Sequence, residues 1–468
     1  MDSNRSASRE LVVNTIVFGI GTVGSKIIMF ILLPIYTGYM TTSELGVAEL
    51  VVNYMNLLYP IASANIVVAL LRYSMESQQD KKKILQNAMF VVFIGVFLTS
   101  VVVSLIHTKS AVKDWRLYLS LMLFVYSVQQ MLSMFAKALD KTKICAIGNV
   151  IYTVALLVFS SVFLIVFKMG TSGYLLGMIL ANVVSVIYYC IFIKIRQYVR
   201  FTRMDKKLLA EMLTFSTPLI LGAVSGWITT FCDRFVLEYF WGTDSVGIYS
   251  VASKLPSLIS AFSSVFMSAW LLSAIKEYEA GKDRAFSNMV FRKFNAFFMA
   301  WAALMIFCCR WVMMLLAKGE FSEGWKYAPL LLCSALFGGL GNFFGTFYTS
   351  AKRNISLTVT TLIGAAVNFG LNFVLIPYMG IQGATFTTMI SQFIVLICRM
   401  LYARKFVIIE IDYVKMFISI VAIVAESFFV AKDGNMLIAF ALMLTVCLIY
   451  AGEWKKTFHA VFARLEKH

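Results

Sequence analysis

The sequence has few charged residues for its length. Asp, Glu, Lys and Arg make up only 14% of the 468 residues, against about 25% in an average soluble domain. A water-soluble chain of this length cannot cover its core with so few charges, so the composition excludes a cytosolic enzyme. Hydrophobic residues make up 60% of the chain, with a mean hydropathy of +0.81, which excludes a disordered or fibrous protein. Together these values indicate a polytopic membrane protein.

Known motifs of other functional classes are absent from the sequence. No glycine-rich phosphate loop and no nucleic-acid-binding motif accompanies the excess of 41 Lys and Arg over 24 Asp and Glu, so we expect no nucleic-acid partner. The eight cysteines have no metal-site spacing and are interpreted as packing residues. The three histidines lie at a helix end or in the C-terminal tail and predict no proton relay. We therefore expect no metal, no cofactor and no catalytic residues.

Long apolar runs dominate what is present. A membrane-spanning helix needs about 20 apolar residues, so a chain that is 60% hydrophobic has room for about fourteen of them. The runs are continuously apolar and do not alternate, which excludes transmembrane strands. The predicted spans are 14–36, 45–71, 84–106, 116–136, 144–167, 173–193, 212–240, 245–275, 290–316, 327–350, 355–376, 383–403, 413–430 and 435–451.

The loop charges predict the orientation of these spans. With the N-terminus in the cytoplasm, 30 of the 41 Lys and Arg residues fall in inner loops and only 8 in outer loops. Cytoplasmic loops carry such an excess of positive charge. We therefore expect a multi-pass membrane protein with both termini in the cytoplasm. The loops are all short, so the function is expected among the helices.

An internal repeat relates two groups of six spans. Gly46 recurs as Gly247 at an offset of 201, and Gly170 recurs as Gly380 at an offset of 210. Because six is an even number, both halves share one orientation, and we expect a pseudo-two-fold axis along the membrane normal with a cavity between the lobes. The expected divisions are an N-terminal six-helix lobe, a C-terminal six-helix lobe and two appended helices with a basic tail, at 1–199, 200–410 and 411–468.

Cations inside the apolar runs are the first candidate site residues. Lys26, Arg234 and Lys254 are the three basic residues that no loop accounts for. Charge within a membrane span is costly and usually marks a water-filled pathway. Arg72, at the inner end of the second span, is either a substrate-entry residue or an interfacial anchor. An excess of embedded cations favours an anionic substrate.

Acidic and amide side chains complete the candidate set. Asp233 and Glu238 are candidates for ion coupling or for an ion pair, and Glu238 lies one helical turn from Arg234. Asn53, Asn56 and Asn368 are candidate sugar contacts, although asparagines in membrane helices more often hold helices together. Asn53 is also the repeat partner of Lys254, at an offset of 201.

Several stretches resemble one known family. The seventh and eighth spans carry Ser216-Thr217-Pro218, Cys232-Asp233-Arg234-Phe235 and Val246-Gly247-Ile248-Tyr249-Ser250. Further matching stretches are Leu33-Pro34-Ile35-Tyr36, Glu44-Leu45-Gly46, Leu71-Arg72-Tyr73, Leu375-Ile376-Pro377 and Gly380-Ile381-Gln382-Gly383. In order and spacing they resemble the bacterial polysaccharide repeat-unit flippases of the multidrug/oligosaccharidyl-lipid/polysaccharide exporter superfamily, over residues 9–405.

The resemblance implies a flippase for undecaprenyl-pyrophosphate-linked oligosaccharides. It implies alternating access, with the lipid-linked oligosaccharide and membrane lipid as partners and H⁺ or Na⁺ as a candidate coupling ion. A polysaccharide polymerase and glycosyltransferases are further candidate partners. Two alternatives stay open. An ion-coupled multidrug exporter of the same superfamily is disfavoured by the embedded cations, and a membrane glycosyltransferase or polymerase is disfavoured by the short outer loops.

Overall fold

The protein is helical throughout the part that the structure describes. The computed structural model describes residues 28, 30–75, 80–106, 110–199, 204–279, 284–351, 353–405, 407 and 409–454, and none of these residues lies in a strand. The α-helices are α1 Phe30–Tyr39, α2 Thr42–Ala62, α3 Ile66–Met75, α4 Lys81–Leu105, α5 Arg116–Ala138, α6 Thr142–Ser161, α7 Gly170–Ile193, α8 Lys206–Ala252, α9 Lys254–Glu279, α10 Arg284–Leu316, α11 Ala328–Ser350, α12 Asn354–Ala403, α13 Tyr413–Ala431 and α14 Met436–Ile449.

The expected fold class is confirmed. Within the described ranges, ten helical segments are long and apolar enough to cross a membrane, and four further apolar helices are shorter. Each of the fourteen predicted runs overlaps at least one of these helices. The protein is an all-α, multi-pass membrane protein.

Two pairs of predicted spans are joined with no loop between them. In α8 the two spans meet at Gly242 (φ 78°), and in α12 they meet at Gly380 (φ 55°). A positive φ costs little only at glycine, so one residue breaks the helical path at each junction. Gly170, the repeat partner of Gly380, has almost the same φ of 53°. The repeat found in the sequence therefore appears in the backbone at this position.

Two other predicted spans are each divided into two helices. The second run breaks between α2 and α3, where Ala64 and Asn65 both have positive φ. The eighth run breaks at Ser253, between α8 and α9. Proline accounts for the second break, because Pro256 has no N–H to continue the helical hydrogen bonds across Ser253. Pro60 lies in the last turn of α2, and Pro256 lies in the first turn of α9.

The chain forms two compact units, Met1–Gly247 and Ile248–His468. In the first unit α7 packs against α5 and α6, and α3 packs against α4 and α5. In the second unit α11 is the most buried span and contacts α9, α10, α12 and α13. The lobe boundaries expected from the repeat remain a prediction.

Candidate functional site

Repeat-related glycines meet where α2 crosses the segment of α8 that follows Gly242. A Cβ atom on Gly46 would lie 2.0 Å from the carbonyl oxygen of Thr243, and one on Gly247 would lie 2.1 Å from that of Thr42. Only glycine permits backbones to approach this closely. Because Thr42 and Thr243 are also related by the offset of 201, the contact is reciprocal, as a local two-fold axis requires.

Hydrogen bonds between polar side chains close the same crossing. The Thr42 hydroxyl donates to Asp244 Oδ1 at 2.6 Å, and the hydroxyls of Ser43 and Thr243 lie 2.6 Å apart. All four residues lie in the first turns of the two segments, which start after the α1–α2 turn and after Gly242. The offset of 201 relates Gly46 to Gly247 in the sequence, but it does not predict that the two glycines touch.

A second contact brings α2 and α8 together deeper in the first unit. Trp227 Nε1 donates to the backbone carbonyl of Asn53 at 2.9 Å. Phe235 packs edge-on against Tyr54, with ring centroids 4.5 Å apart. The predicted residue Asn53 directly precedes Tyr54, and the predicted residue Arg234 directly precedes Phe235, so both are adjacent in sequence to this aromatic contact. The amide nitrogen of Asn53 is buried and has no hydrogen-bond partner in the described part of the chain.

Asp233 and Arg234 are buried charged residues of the same helix. Their exposed fractions are 1% and 6%. The Arg234 guanidinium donates to the carbonyl of Thr230 at 3.2 Å and lies 5.4 Å from the centre of the Phe231 ring. Since charge buried in a membrane span is costly, this segment of α8 remains the strongest of the predicted positions in the first unit.

Glu238 has a structural role in the described geometry. Its carboxylate accepts hydrogen bonds from the Ser110 hydroxyl at 2.7 and 3.0 Å and from the Ala111 backbone N–H at 2.7 Å. These bonds hold the short 3₁₀ helix Ala111–Trp115 against α8. The Glu238 carboxylate thus accepts hydrogen bonds at the N-terminal end of that helix, where the partial positive charge favours a negatively charged group.

The other predicted cations have different surroundings. Arg72, near the end of α3, is exposed and stacks on Phe215, with 4.7 Å from its guanidinium carbon to the ring centre. Lys254 is half-buried and is the first residue of α9, after the break at Ser253. Lys26 lies outside the residues that the structure describes. Asn56, on α2, is half-buried.

Asn368 belongs to a buried hydrogen-bond network within α12. Asn372 Nδ2 donates to Asn368 Oδ1 at 3.1 Å, and the Thr387 hydroxyl donates to Asn372 Oδ1 at 2.5 Å. The network joins the parts of α12 before and after Gly380. Because Asn372 occupies the side-chain oxygen of Asn368, this geometry favours the helix-packing interpretation over a sugar contact.

Glu49 and Arg399 are buried charged residues that are not among the candidates predicted from the sequence. Glu49 on α2 is 6% exposed and accepts a hydrogen bond from the Tyr174 hydroxyl at 3.3 Å. Arg399 on α12 is 8% exposed. The count of 30 inner-loop cations includes Arg399. Its position inside the apolar run 383–403 was the available signal. Within the described ranges no three His, Cys, Asp or Glu side chains form a group that could hold a metal ion.

Sequence comparisons identify relatives over part of the chain. Residues 11–272 match the family model described as "Polysaccharide biosynthesis protein". The chain is 26% identical over 191 residues to the capsular polysaccharide biosynthesis protein CapF of Staphylococcus aureus, covering 40% of this chain and 48% of that protein. It is 24% identical over 271 residues to an uncharacterized membrane protein of Methanocaldococcus jannaschii, covering 55% and 52%. The chain thus spans about half the length of these relatives.

Structural comparisons match nearly the whole chain. The lipid II flippase MurJ, in an inward closed conformation, has a TM-score of 0.71 at 15% identity and covers 95% of this chain and 99% of its own. An inward-facing multidrug resistance MATE family transporter of the MOP superfamily has a TM-score of 0.61 at 14% identity and covers 83% and 97%. The fold is therefore one shared by a lipid flippase and by multidrug transporters.

Proposed function

Because the chain belongs to the polysaccharide biosynthesis protein family, we propose that it moves undecaprenyl-pyrophosphate-linked oligosaccharide repeat units from the inner to the outer leaflet. The transport serves the synthesis of surface polysaccharide, such as O-antigen, capsule or exopolysaccharide, in a bacterial plasma membrane. The observation that carries the proposal is that a chain of this family resembles the fold of a lipid II flippase over 95% of its length. Flipping makes and breaks no covalent bond, so it requires positioning and charge but no catalytic residue.

The charge of the substrate gives the embedded cations their proposed role. A pyrophosphate carries several negative charges, and crossing the membrane interior without counter-charge would be prohibitive. Arg234, buried to 94%, and Lys254, half-buried at a helix start, supply positive charge within apolar helices. Lys26 and Arg72 are proposed to add to this field, with Arg72 near the substrate's entry. Asn53 is proposed as a sugar contact because its buried amide lacks a partner in the described residues.

Asn56 is the second proposed sugar contact, one helical turn from Asn53 on α2. Asp233 is the proposed coupling residue, since its carboxyl is buried beside Arg234 and its protonation would change the local charge. H⁺ or Na⁺ is the proposed coupling ion. Glycosyltransferases that build the repeat unit and a polymerase that consumes it are the proposed functional partners.

The test follows lipid-linked repeat units in a producing strain. Deleting the gene should leave these units intact but inaccessible to a membrane-impermeant periodate or glycosidase probe. Restoring the protein should make them accessible. If surface glycan is unchanged and sensitivity to cationic drugs rises, the multidrug exporter of the same superfamily is the correct assignment.

Variants of Lys254 test the role of charge. Lys254→Ala should abolish or strongly reduce glycan export at normal protein level. Lys254→Arg should keep part of the export, because the positive charge matters more than the difference in shape between an ammonium and a planar guanidinium. Lys432→Ala removes an exposed lysine and serves as the matched control. Normal export by Lys254→Ala would remove this lysine from the site.

A further inference from the structure

Arg399 is a buried cation of the second unit, and no described residue supplies it with a counter-charge. Its guanidinium donates three hydrogen bonds, all to neutral oxygens: Nε to Thr360 Oγ1 at 3.2 Å, Nη1 to Asn342 Oδ1 at 3.0 Å and Nη2 to Thr361 Oγ1 at 3.1 Å. No carboxylate of the described residues forms an ion pair with it. A buried charge of this kind is costly unless an opposite charge compensates it.

The guanidinium has donors to spare. An arginine side chain has five N–H groups in a rigid fork, and three of them make the hydrogen bonds above. One N–H on each terminal nitrogen is therefore available to a ligand. Two parallel donors of this kind match the spacing of oxygens on a phosphate group or a carboxylate.

A cavity of about 290 Å³ lies against Arg399. Its wall includes Asn342, Gly345, Thr346, Thr349 and Leu357. Asn342 is exposed, so the cavity reaches the protein surface. The hydroxyl of Thr349 makes no hydrogen bond to another described residue and is a further donor. At about 30 Å³ per water molecule the space holds about ten waters. That is enough for a phosphate or pyrophosphate group and too little for an oligosaccharide.

Gly345 leaves room beside the guanidinium. A Cβ atom there would lie 3.6 Å from Arg399 Nη1 and 3.3 Å from Leu357 Cδ1. An alanine would thus narrow the space beside the terminal nitrogen and keep the positive charge. Lys254 is the first residue of α9, and the cavity-lining Met267 lies near the middle of that helix, about 20 Å further along at 1.5 Å per residue. The Arg399 cavity is therefore separate from the position of Lys254.

From this geometry we infer that Arg399 and its cavity form a binding site for a phosphate-bearing anion. The bound group takes the two remaining N–H donors and supplies the missing negative charge. The same chemistry is present in the headgroup of an anionic phospholipid and in the pyrophosphate of a prenyl-linked substrate. The loop charges predict that this end of α11 and α12 faces the cytoplasm, where both ligands are present. The inference does not rest on the proposed transport function, because its test measures binding alone.

The test measures thermal stabilisation of the purified full-length protein by inorganic pyrophosphate. The wild-type protein should show a saturable rise in its unfolding temperature, and Arg399→Gln should bind about tenfold more weakly or not at all. Arg404→Gln is the control for charge, because Arg404 is exposed near the end of the same helix. It should bind as the wild type does. Equal stabilisation of wild type and Arg399→Gln would overturn the inference.

A second pair of variants tests the inference even if Arg399→Gln fails to fold. Gly345→Ala keeps the guanidinium and should weaken binding. Gly370→Ala should not, because its Cβ atom would meet no described residue within 4 Å. Native mass spectrometry with phosphatidylglycerol against phosphatidylcholine identifies the ligand source. Retention of phosphatidylglycerol that depends on Arg399 assigns the site to lipid. Pyrophosphate binding without such retention assigns it to a prenyl pyrophosphate, and binding of neither overturns the inference.

Discussion

The glycine crossing of α2 and α8 predicts a large effect from one methyl group. In Gly46→Ala the new Cβ atom would start 2.0 Å from the Thr243 carbonyl oxygen, whereas real Cβ contacts are essentially never shorter than 3.0 Å. The obstacle is backbone, so the two segments must separate by about 1 Å at this point. Overpacking of this kind costs about 1–3 kcal/mol.

The separation also breaks the hydrogen bonds of Thr42 with Asp244 and of Ser43 with Thr243, each 2.6 Å long. A net loss of about 1 kcal/mol for each bond brings the total to roughly 3–5 kcal/mol. Since 1.4 kcal/mol corresponds to a factor of ten, the closed crossing should become at least a hundred times less favourable relative to a separated arrangement.

Disulfide cross-linking measures the separation of the two segments, with a cysteine pair in place of the Ser43–Thr243 hydrogen bond. With the native cysteines replaced, a protein carrying Ser43→Cys and Thr243→Cys should cross-link rapidly, because the two native hydroxyl oxygens are 2.6 Å apart. Adding Gly46→Ala should slow cross-linking at least tenfold. Gly226→Ala is the matched control, because no described residue lies within 4 Å of a Cβ atom there. Unchanged cross-linking with Gly46→Ala would refute the claim that the glycine permits the contact.

Three further predictions concern other parts of the chain. Glu426 is fully buried, and neither of its carboxyl oxygens has a hydrogen-bond partner in the described residues. Glu426→Leu should therefore raise the free energy of unfolding by about 1–3 kcal/mol, and a lower free energy of unfolding would contradict this. A hydrogen bond from the Leu208 backbone and the ammonium of Lys83, at 3.2 Å, lower the pKa of Asp205. The stabilisation by Asp205 is therefore present above its unfolded pKa of about 3.9. The difference in unfolding temperature between wild type and Asp205→Asn should be constant near neutral pH and should vanish as the pH falls through the lowered pKa. A difference that persists at the lowest pH would contradict the assignment. Single-cysteine labelling should find exposed position 168 accessible from outside and exposed position 143 only from inside, and the reverse result would overturn the predicted orientation.

The sequence was sufficient to predict the helices, because each depends on local composition. Every predicted run overlaps a helix, and the repeat-related residues Gly170 and Gly380 share a positive φ. Pro256 marks the break at Ser253 in the sequence, whereas the break between α2 and α3 could not be placed from the apolar runs. A break depends on which backbone groups find partners, and hydropathy does not record that.

The candidate site was harder to predict than the fold. Arg234 and Asp233 are buried in α8, and their roles in transport remain predictions. Arg399 was counted with the inner-loop cations because positive charge near a span end does not distinguish an interfacial anchor from a buried guanidinium. Only the contacts with Thr360, Thr361 and Asn342 make that distinction. Glu238 contacts a turn more than 120 residues earlier in the chain, which no local pattern could reveal.

The central claim is that this protein flips a lipid-linked glycan. Its most direct test uses the purified protein in liposomes that contain an undecaprenyl-pyrophosphate-linked repeat unit with a label on its sugar. A membrane-impermeant glycosidase outside the liposomes removes the label only from the outer leaflet. The account predicts that the inner-leaflet pool becomes accessible with the wild-type protein and stays protected with Lys254→Ala. An inner pool that stays protected with active wild-type protein, alongside transport of a cationic dye, would contradict it.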